Sequence, residues 1–524
     1  MKSARPLPAR FRSWAVGVRA AGAMALVLAV ASCSLFGGGG DGGPKSASPV
    51  QPDPAIAAAA PAELRGFYSQ HVDWTPCEAN FSCAKIKVPL DYSKPDGGSI
   101  EIAALKLSAK DRKMGSLLVN PGGPGGSGYD FVKDGATTNI SENVRAKYDV
   151  VGFDPRGVKR SAPVTCLTDQ ERDEARAKSY ALDTDAGLEA ALADNKVVAA
   201  ECAEKTGPVL GHVDTVSAAK DLDILRAAVN DTKLNYLGYS YGTFLGSTYA
   251  SLFPDNVGRM VLDGAIDPSL SYEELTSGQA KAFEKAISAY AANCLQNSGC
   301  PLSGSTENAV QQIRDLIKAA EASPLPSKGG RQVSASTFVS GFILPLYNDK
   351  NWPLLTGALG QAAAGDGSGL LALADFGADR QANGSYSSNS TFAFNAINCL
   401  DYPTVSDTAA MRAEDQQLRQ LSPTLGYYFA YGGGNCQDWP YKSVRTPAPV
   451  EYKGSAQILV VGTTGDPATP YEWAGALRKQ LGNASLLTWK GEGHTAYGRS
   501  NSCITNGVDG YLLDGKAPAD NTIC

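Results

Sequence analysis

Short apolar runs recur along the chain, divided by longer stretches in which apolar residues fall at helical spacing. Two of the runs, 84–90 and 100–105, alternate apolar with polar residues. That is the pattern of strands with one face on a core and one in water, and it predicts an antiparallel pair at a sheet edge. The later runs, 116–120, 148–153, 234–238 and 259–263, are almost continuously apolar, as strands buried on both faces are. Helical stretches lie between them, most clearly at 217–230 and 243–253. Strands and helices alternating at this spacing predict an open, mostly parallel α/β sheet with helices on both faces.

The alternation stops after Pro268. Residues 269–450 are helix-like, with loops rich in Ser, Asn and Gly, and strand-type runs resume only at 457–462 and 484–489. This predicts a mainly helical cap (269–450) inserted between two strands of a core made of 63–268 and 451–524. No repeat of 20–50 residues is present, which excludes a solenoid or a propeller.

The N-terminus changes the picture of where the protein works. Lys2, Arg5, Arg10, Arg12 and Arg19 precede an apolar run, 20–31, which is shorter than the ~20 residues a permanent membrane helix needs. Residues 1–32 therefore read as a signal peptide. Val30-Ala31-Ser32-Cys33 resembles a bacterial lipobox, so Cys33 is expected to be lipidated and to anchor the mature chain to the membrane, facing the cell envelope. Residues 33–62, rich in Gly, Pro and Ala, read as a tether. Beyond Cys33 ten cysteines remain: Cys77, Cys83, Cys166, Cys202, Cys294, Cys300, Cys399, Cys436, Cys503 and Cys524. With no Cys-x-x-Cys pair and only three histidines, five disulfides formed outside the cytoplasm explain them better than zinc does. Sequential pairing is the expectation, although spacing alone leaves other connectivities open. Loss of the five basic side chains with the signal peptide takes the formal charge from −6 to −11, which argues against nucleic acid as a partner.

Candidate chemistry centres on Gly238-Tyr239-Ser240-Tyr241-Gly242. A serine hydroxyl becomes nucleophilic when it is held clear of the backbone beside a base, and a sharp strand-to-helix turn with close-packed glycines does this. The motif alone is weak, but here a buried-strand pattern precedes it and a helix follows. Of His71, His212 and His494, only His494 lies in a Gly-flanked loop after the last strand, where a base is expected in the order serine, acid, histidine. Asp466, after the strand run 457–462, is the expected acid; Asp263 is the alternative. The tetrahedral intermediate needs N–H donors, expected from Tyr241 and from Gly123 in the turn 120–128, with Gly122 second. A phosphate loop is the competing reading of that turn. No Gly-Lys-Ser/Thr follows it, and an exported chain has no nucleotide partner. No metal or cofactor is called for.

These residues together resemble a known family. The Gly-Gly-Pro-Gly-Gly turn at 122–126, Asp154-Pro155-Arg156-Gly157, the elbow at Ser240 and Gly465-Asp466 resemble the proline iminopeptidase branch of the α/β-hydrolases. More closely, the chain is similar to the secreted tripeptidyl aminopeptidases of actinobacteria, including mycobacterial cell-envelope serine proteases. Further matches are the stretch 221–226, Leu262-Asp263-Gly264-Ala265, Ala396-Ile397-Asn398-Cys399 and Cys436 before Trp439-Pro440. The resemblance implies an α/β-hydrolase fold and release of short peptides from a free N-terminus of a peptide or protein substrate. It also implies acidic cap residues that bind the substrate amine, with Glu273, Glu274 and Asp401 as candidates. Pro121 departs from the family, which places His before the Gly-Gly. A carboxylesterase or lipase using the same residues is the alternative, and a non-catalytic envelope-binding lipoprotein is a third reading.

Overall fold

The apolar runs of the described residues fold into one ten-stranded sheet. Its first strands are β1 (Thr75–Pro76), β2 (Phe81–Pro89), β3 (Ser99–Leu107), β4 (Gly115–Asn120), β5 (Tyr148–Phe153), β6 (Leu234–Tyr239) and β7 (Val257–Asp263). β8 (Leu325–Pro326) and β9 (Gln332–Val333) pair apart from it, and β10 (Ile458–Gly465), β11 (Ala484–Glu492) and β12 (Thr522–Ile523) complete it. The order across the sheet is β1-β2-β3-β5-β4-β6-β7-β10-β11-β12. The pairs from β1 to β5 on one side are antiparallel, and every pair from β5 to β12 is parallel. The computed structural model describes residues 52–405 and 407–524, which lie in one compact unit; the predicted signal peptide and Cys33 lie outside these.

The hydrophobic pattern explains this layout. On β2, Ala84, Ile86 and Val88 are buried while Lys85 and Lys87 face water, as an outer strand requires; every residue of β4 and β5 is buried. Successive residues of the central strands feed opposite faces. Tyr236, Leu262 and Val460 join one core with helices Thr215–Ala228 and Tyr241–Leu252. Leu237, Val261 and Leu459 join the other, with helices Gly128–Asn139 and Ser502–Asp514.

Between β7 and β10 the chain is mostly helical and carries its own core around Phe283, Ile287, Phe338, Phe342 and Leu355. It is not a detached body. Helix Ser390–Asp401 sends Phe392, Ala396 and Leu400 into the core beside the sheet. The segment between β5 and β6, read from sequence as part of the sheet half, packs on the insert: Leu188 clusters with Ala280, Met411 and Tyr431. Arg380–Asp173 and Arg412–Asp185 ion pairs also tie the two segments. The end of the predicted tether differs as well. Asp53 caps helix Pro54–Ala59, and Ile56 and Ala60 are buried in the sheet-side core. Composition marks the stretch as linker, but alanines favour a helix once one apolar residue has a core to enter.

The ten cysteines are joined as Cys77–Cys83, Cys166–Cys202, Cys294–Cys300, Cys399–Cys436 and Cys503–Cys524. Among the described residues no helix is long and apolar enough to cross a membrane.

Candidate active site

β6 ends at Tyr239, Ser240 turns the chain, and helix Tyr241–Leu252 begins at once. Ser240 has φ 56° and ψ −126°, a conformation that costs a non-glycine residue about 1–3 kcal/mol. Neighbours hold it there: Ser240 N donates to Asp263 O at 2.9 Å, and Thr243 N to Ser240 O at 2.8 Å. The glycines are required by closeness. A Cβ on Gly238 would lie 2.4 Å from Gly242 O, and one on Gly242 would lie 2.7 Å from Asn120 O.

The turn after β4 packs on this elbow. At Gly122 (φ 98°) a Cβ would lie 2.6 Å from Tyr239 O and 2.8 Å from Ser240 Cβ. Gly122 N is engaged by Asn120 Oδ1 at 2.9 Å, whereas Gly123 N donates to no described group. Tyr241 N opens its helix and so has no carbonyl one turn back. Two amides are thus unengaged, that of Tyr241 directly after the serine and that of Gly123 directly after the glycine packed on it; Gly122 N is not one of them.

Asp466 and His494 come together from the loops after β10 and β11. His494 Nδ1 lies 2.9 Å from both Asp466 oxygens. The carboxylate also accepts from Ala468 N (2.9 Å), Thr469 N (2.8 Å), Thr495 N (3.1 Å) and Thr469 Oγ1 (3.0 Å). Asp466 is fully buried, so these donors replace water around its charge. The imidazole is held on two more sides: His494 N donates to Tyr347 O at 2.8 Å, and the Tyr347 ring meets it edge-on at 5.4 Å. Nε2 bonds no described group, and no Ser240–His494 hydrogen bond is made.

Asp263, the alternative acid, makes no hydrogen bond to the ring. It sits fully buried at the end of β7 and accepts from Ala496 N (3.0 Å) and Tyr497 N (2.7 Å), clamping the loop just past His494. Burial pushes its carboxyl up to about 6, against the pull of those N–H groups. His71 pairs with Asp73 at the surface, and the His212 carbonyl accepts from Arg156.

Two residues beside the site, Thr469 and Thr215, carried no sequence signal. Thr469, 3.3 Å from His494 Nδ1, steadies both members of the Asp–His pair. Thr215 bonds the Tyr241 phenol and donates to Asp401 Oδ2 at 2.5 Å, while Thr215 N donates to Asp401 Oδ1 at 2.9 Å. Asp401 is therefore a buried strut between the insert and the elbow, its carboxyl pushed up to about 7 by burial. It is not free for a substrate amine. Glu274 closes a capping box with Ser271, and Glu273 accepts from Val405 N. Arg156, from the Asp-Pro-Arg-Gly motif, is fully buried on Asp221 at 2.6 and 2.7 Å and on three carbonyls; its role is architectural.

A mostly parallel sheet crowned by a serine elbow, with an Asp–His pair delivered by the loops after its later strands, defines an α/β-hydrolase. Residues 422–524 match the family model described as "TAP-like protein". Over 476 residues the chain is 39% identical to serine protease Hip1 of Mycobacterium tuberculosis, covering 87% of this chain and 91% of the relative. It is 39% identical over 448 residues to carboxylesterase B of M. tuberculosis (84% and 86% covered) and 34% identical over 474 residues to tripeptidyl aminopeptidase of Streptomyces lividans (86% of each). The chain belongs to this family of TAP-like α/β-hydrolases, and the protein is a serine hydrolase.

Proposed function

We propose that the protein is an exported serine aminopeptidase that releases short peptides, tripeptides foremost, from free N-termini. Ser240 Oγ attacks the scissile carbonyl as His494 Nε2 takes its proton. Gly123 N and Tyr241 N receive the oxyanion, and His494 returns the proton to the leaving amine. Asp466 holds the imidazole tautomer and stabilises the imidazolium. Water then repeats the sequence on the acyl-enzyme. The observation that carries this reading is the buried Asp466 carboxylate on His494 Nδ1, which leaves Nε2 as the ring's one open nitrogen. Five disulfides support export, and Cys33 is the proposed lipid anchor.

The peptidase reading rests on the relatives named as a serine protease and a tripeptidyl aminopeptidase; the relative named carboxylesterase B favours an esterase as the second reading. Tripeptide nitroanilides with free and blocked N-termini, run beside p-nitrophenyl esters, separate them. Cleavage confined to free N-termini supports the first. Hydrolysis of esters alone, or indifference to blocking, sinks it.

A further inference from the structure

A cavity of about 460 Å³, within the range of small-ligand pockets, opens beside the elbow. Gly123, Pro124 and Tyr241 line it, together with aromatic residues that include Tyr272, Tyr402 and Trp473. Among the described residues no charged side chain lines it. Its polar groups are neutral, and some are uncommitted: among the described residues the Asn195 and Asn435 side-chain amides make no hydrogen bond. The acidic side chains near it lie elsewhere. Glu273, Glu274 and Glu414 line a separate pocket, and Asp401 is held by Thr215.

The chemistry orients a substrate in this space. The carbonyl oxygen must point at Gly123 N and Tyr241 N, and the leaving nitrogen must face His494 to be protonated. The acyl chain therefore departs on the side away from His494. Gly123 and Tyr241, the residues of both proposed oxyanion donors, line the cavity, and His494 does not. We propose that it is the acyl-side subsite and that it selects peptides whose residue at the attacked carbonyl has an uncharged, aliphatic or aromatic side chain. Aromatic walls give such a side chain apolar contact area, and the open amides meet the peptide backbone. A lysine, arginine, aspartate or glutamate side chain would lose its hydration and gain no counter-charge. This proposal rests on the peptidase reading for the substrate, but not for the shape of the subsite.

The test is a series of tripeptide nitroanilides with free N-termini and Leu, Phe, Lys or Glu at the cleaved position. A parallel series of p-nitrophenyl esters carries the same acyl groups. Leu and Phe are expected to exceed Lys and Glu in kcat/KM by about 100-fold or more in both series. The same ranking in esters while every anilide resists cleavage would end the peptidase reading and leave the subsite standing. Equal kcat/KM for Leu, Lys and Glu overturns the subsite. Asn195→Asp, which places a carboxylate on the wall, should raise Lys relative to Leu about tenfold and depress Glu further. An unchanged ranking in that variant also overturns it.

Discussion

Replacing Asp401 by asparagine should make the protein's stability less sensitive to pH, and the size of the effect follows from where the carboxyl sits. Asp401 is fully buried, with Thr215 as its hydrogen-bond partner; Asp214 raises and Arg445 lowers its pKa. Burial pushes the group from 3.8 to about 7. The folded chain thus binds this proton more tightly than the unfolded chain. The associated stability is fully present below pH 3.8 and is lost as pH rises through 7. Between pH 5 and pH 8 the folded carboxyl goes from protonated to charged while the unfolded one stays charged. At about 1.4 kcal/mol per pH unit, that is a loss of about 3 kcal/mol. Asparagine keeps the shape and can accept from Thr215 N, but carries no proton to lose. The unfolding entropy of a chain this long is roughly 1 kcal/mol/K, so the variant should gain about 3 °C in Tm relative to wild type between pH 5 and pH 8. Calorimetry of both proteins across that range measures it. Asp263 and Glu414 also titrate here but are common to both, so they cancel in the difference. A constant offset between the two curves would refute the reasoning.

Further outcomes can be measured directly. Ser240→Ala should lower kcat by about 10⁴-fold or more, abolish labelling by a serine-directed phosphonate, and leave Tm unchanged or higher because alanine has no chemistry there. Asp466→Asn should cost about 10⁴ in kcat near neutral pH with little change in KM, because an amide holds the wrong imidazole tautomer. Gly122→Ala puts a methyl 2.6 Å from Tyr239 O; hydrolysis should collapse, whereas Gly357→Ala, which meets nothing within 4 Å, should not affect it. Removing Cys399–Cys436, which bridges a separation of 37, should cost about 4 kcal/mol of stability in denaturant unfolding.

Much of the candidate site could be proposed along the chain because each part of it carries a local signature. Ser240 announces itself through flanking glycines, and those glycines are needed at contacts of 2.4 and 2.7 Å. Asp466 and His494 could be picked out because each follows a buried strand, and parallel strands deliver their following loops to one end of the sheet. Gly123 was preferred to Gly122 without a physical reason in sequence; what separates them is Asn120 Oδ1, which engages the Gly122 amide. Thr469 and Thr215 had no signal, since a threonine that bonds a carboxylate looks in sequence like any other. Asp401 was misread as a group open to substrate, because acidity is visible in sequence and burial is not.

By itself, then, the sequence determined the alternation of strands and helices and the sharp turn at Ser240, and it put forward Ser240, Asp466 and His494 as candidates in that chain order. These depend on periodicity, glycine placement and chain direction, all local properties. Only the tertiary structure decided that Asp263 clamps the histidine loop while Asp466 meets the ring, and that the segment between β5 and β6 shares in building the insert. It also decided that the space beside Gly123 and Tyr241 is walled by aromatic rings without charge among the described residues. Each depends on which distant side chains exclude water together, and that is settled when the segments pack.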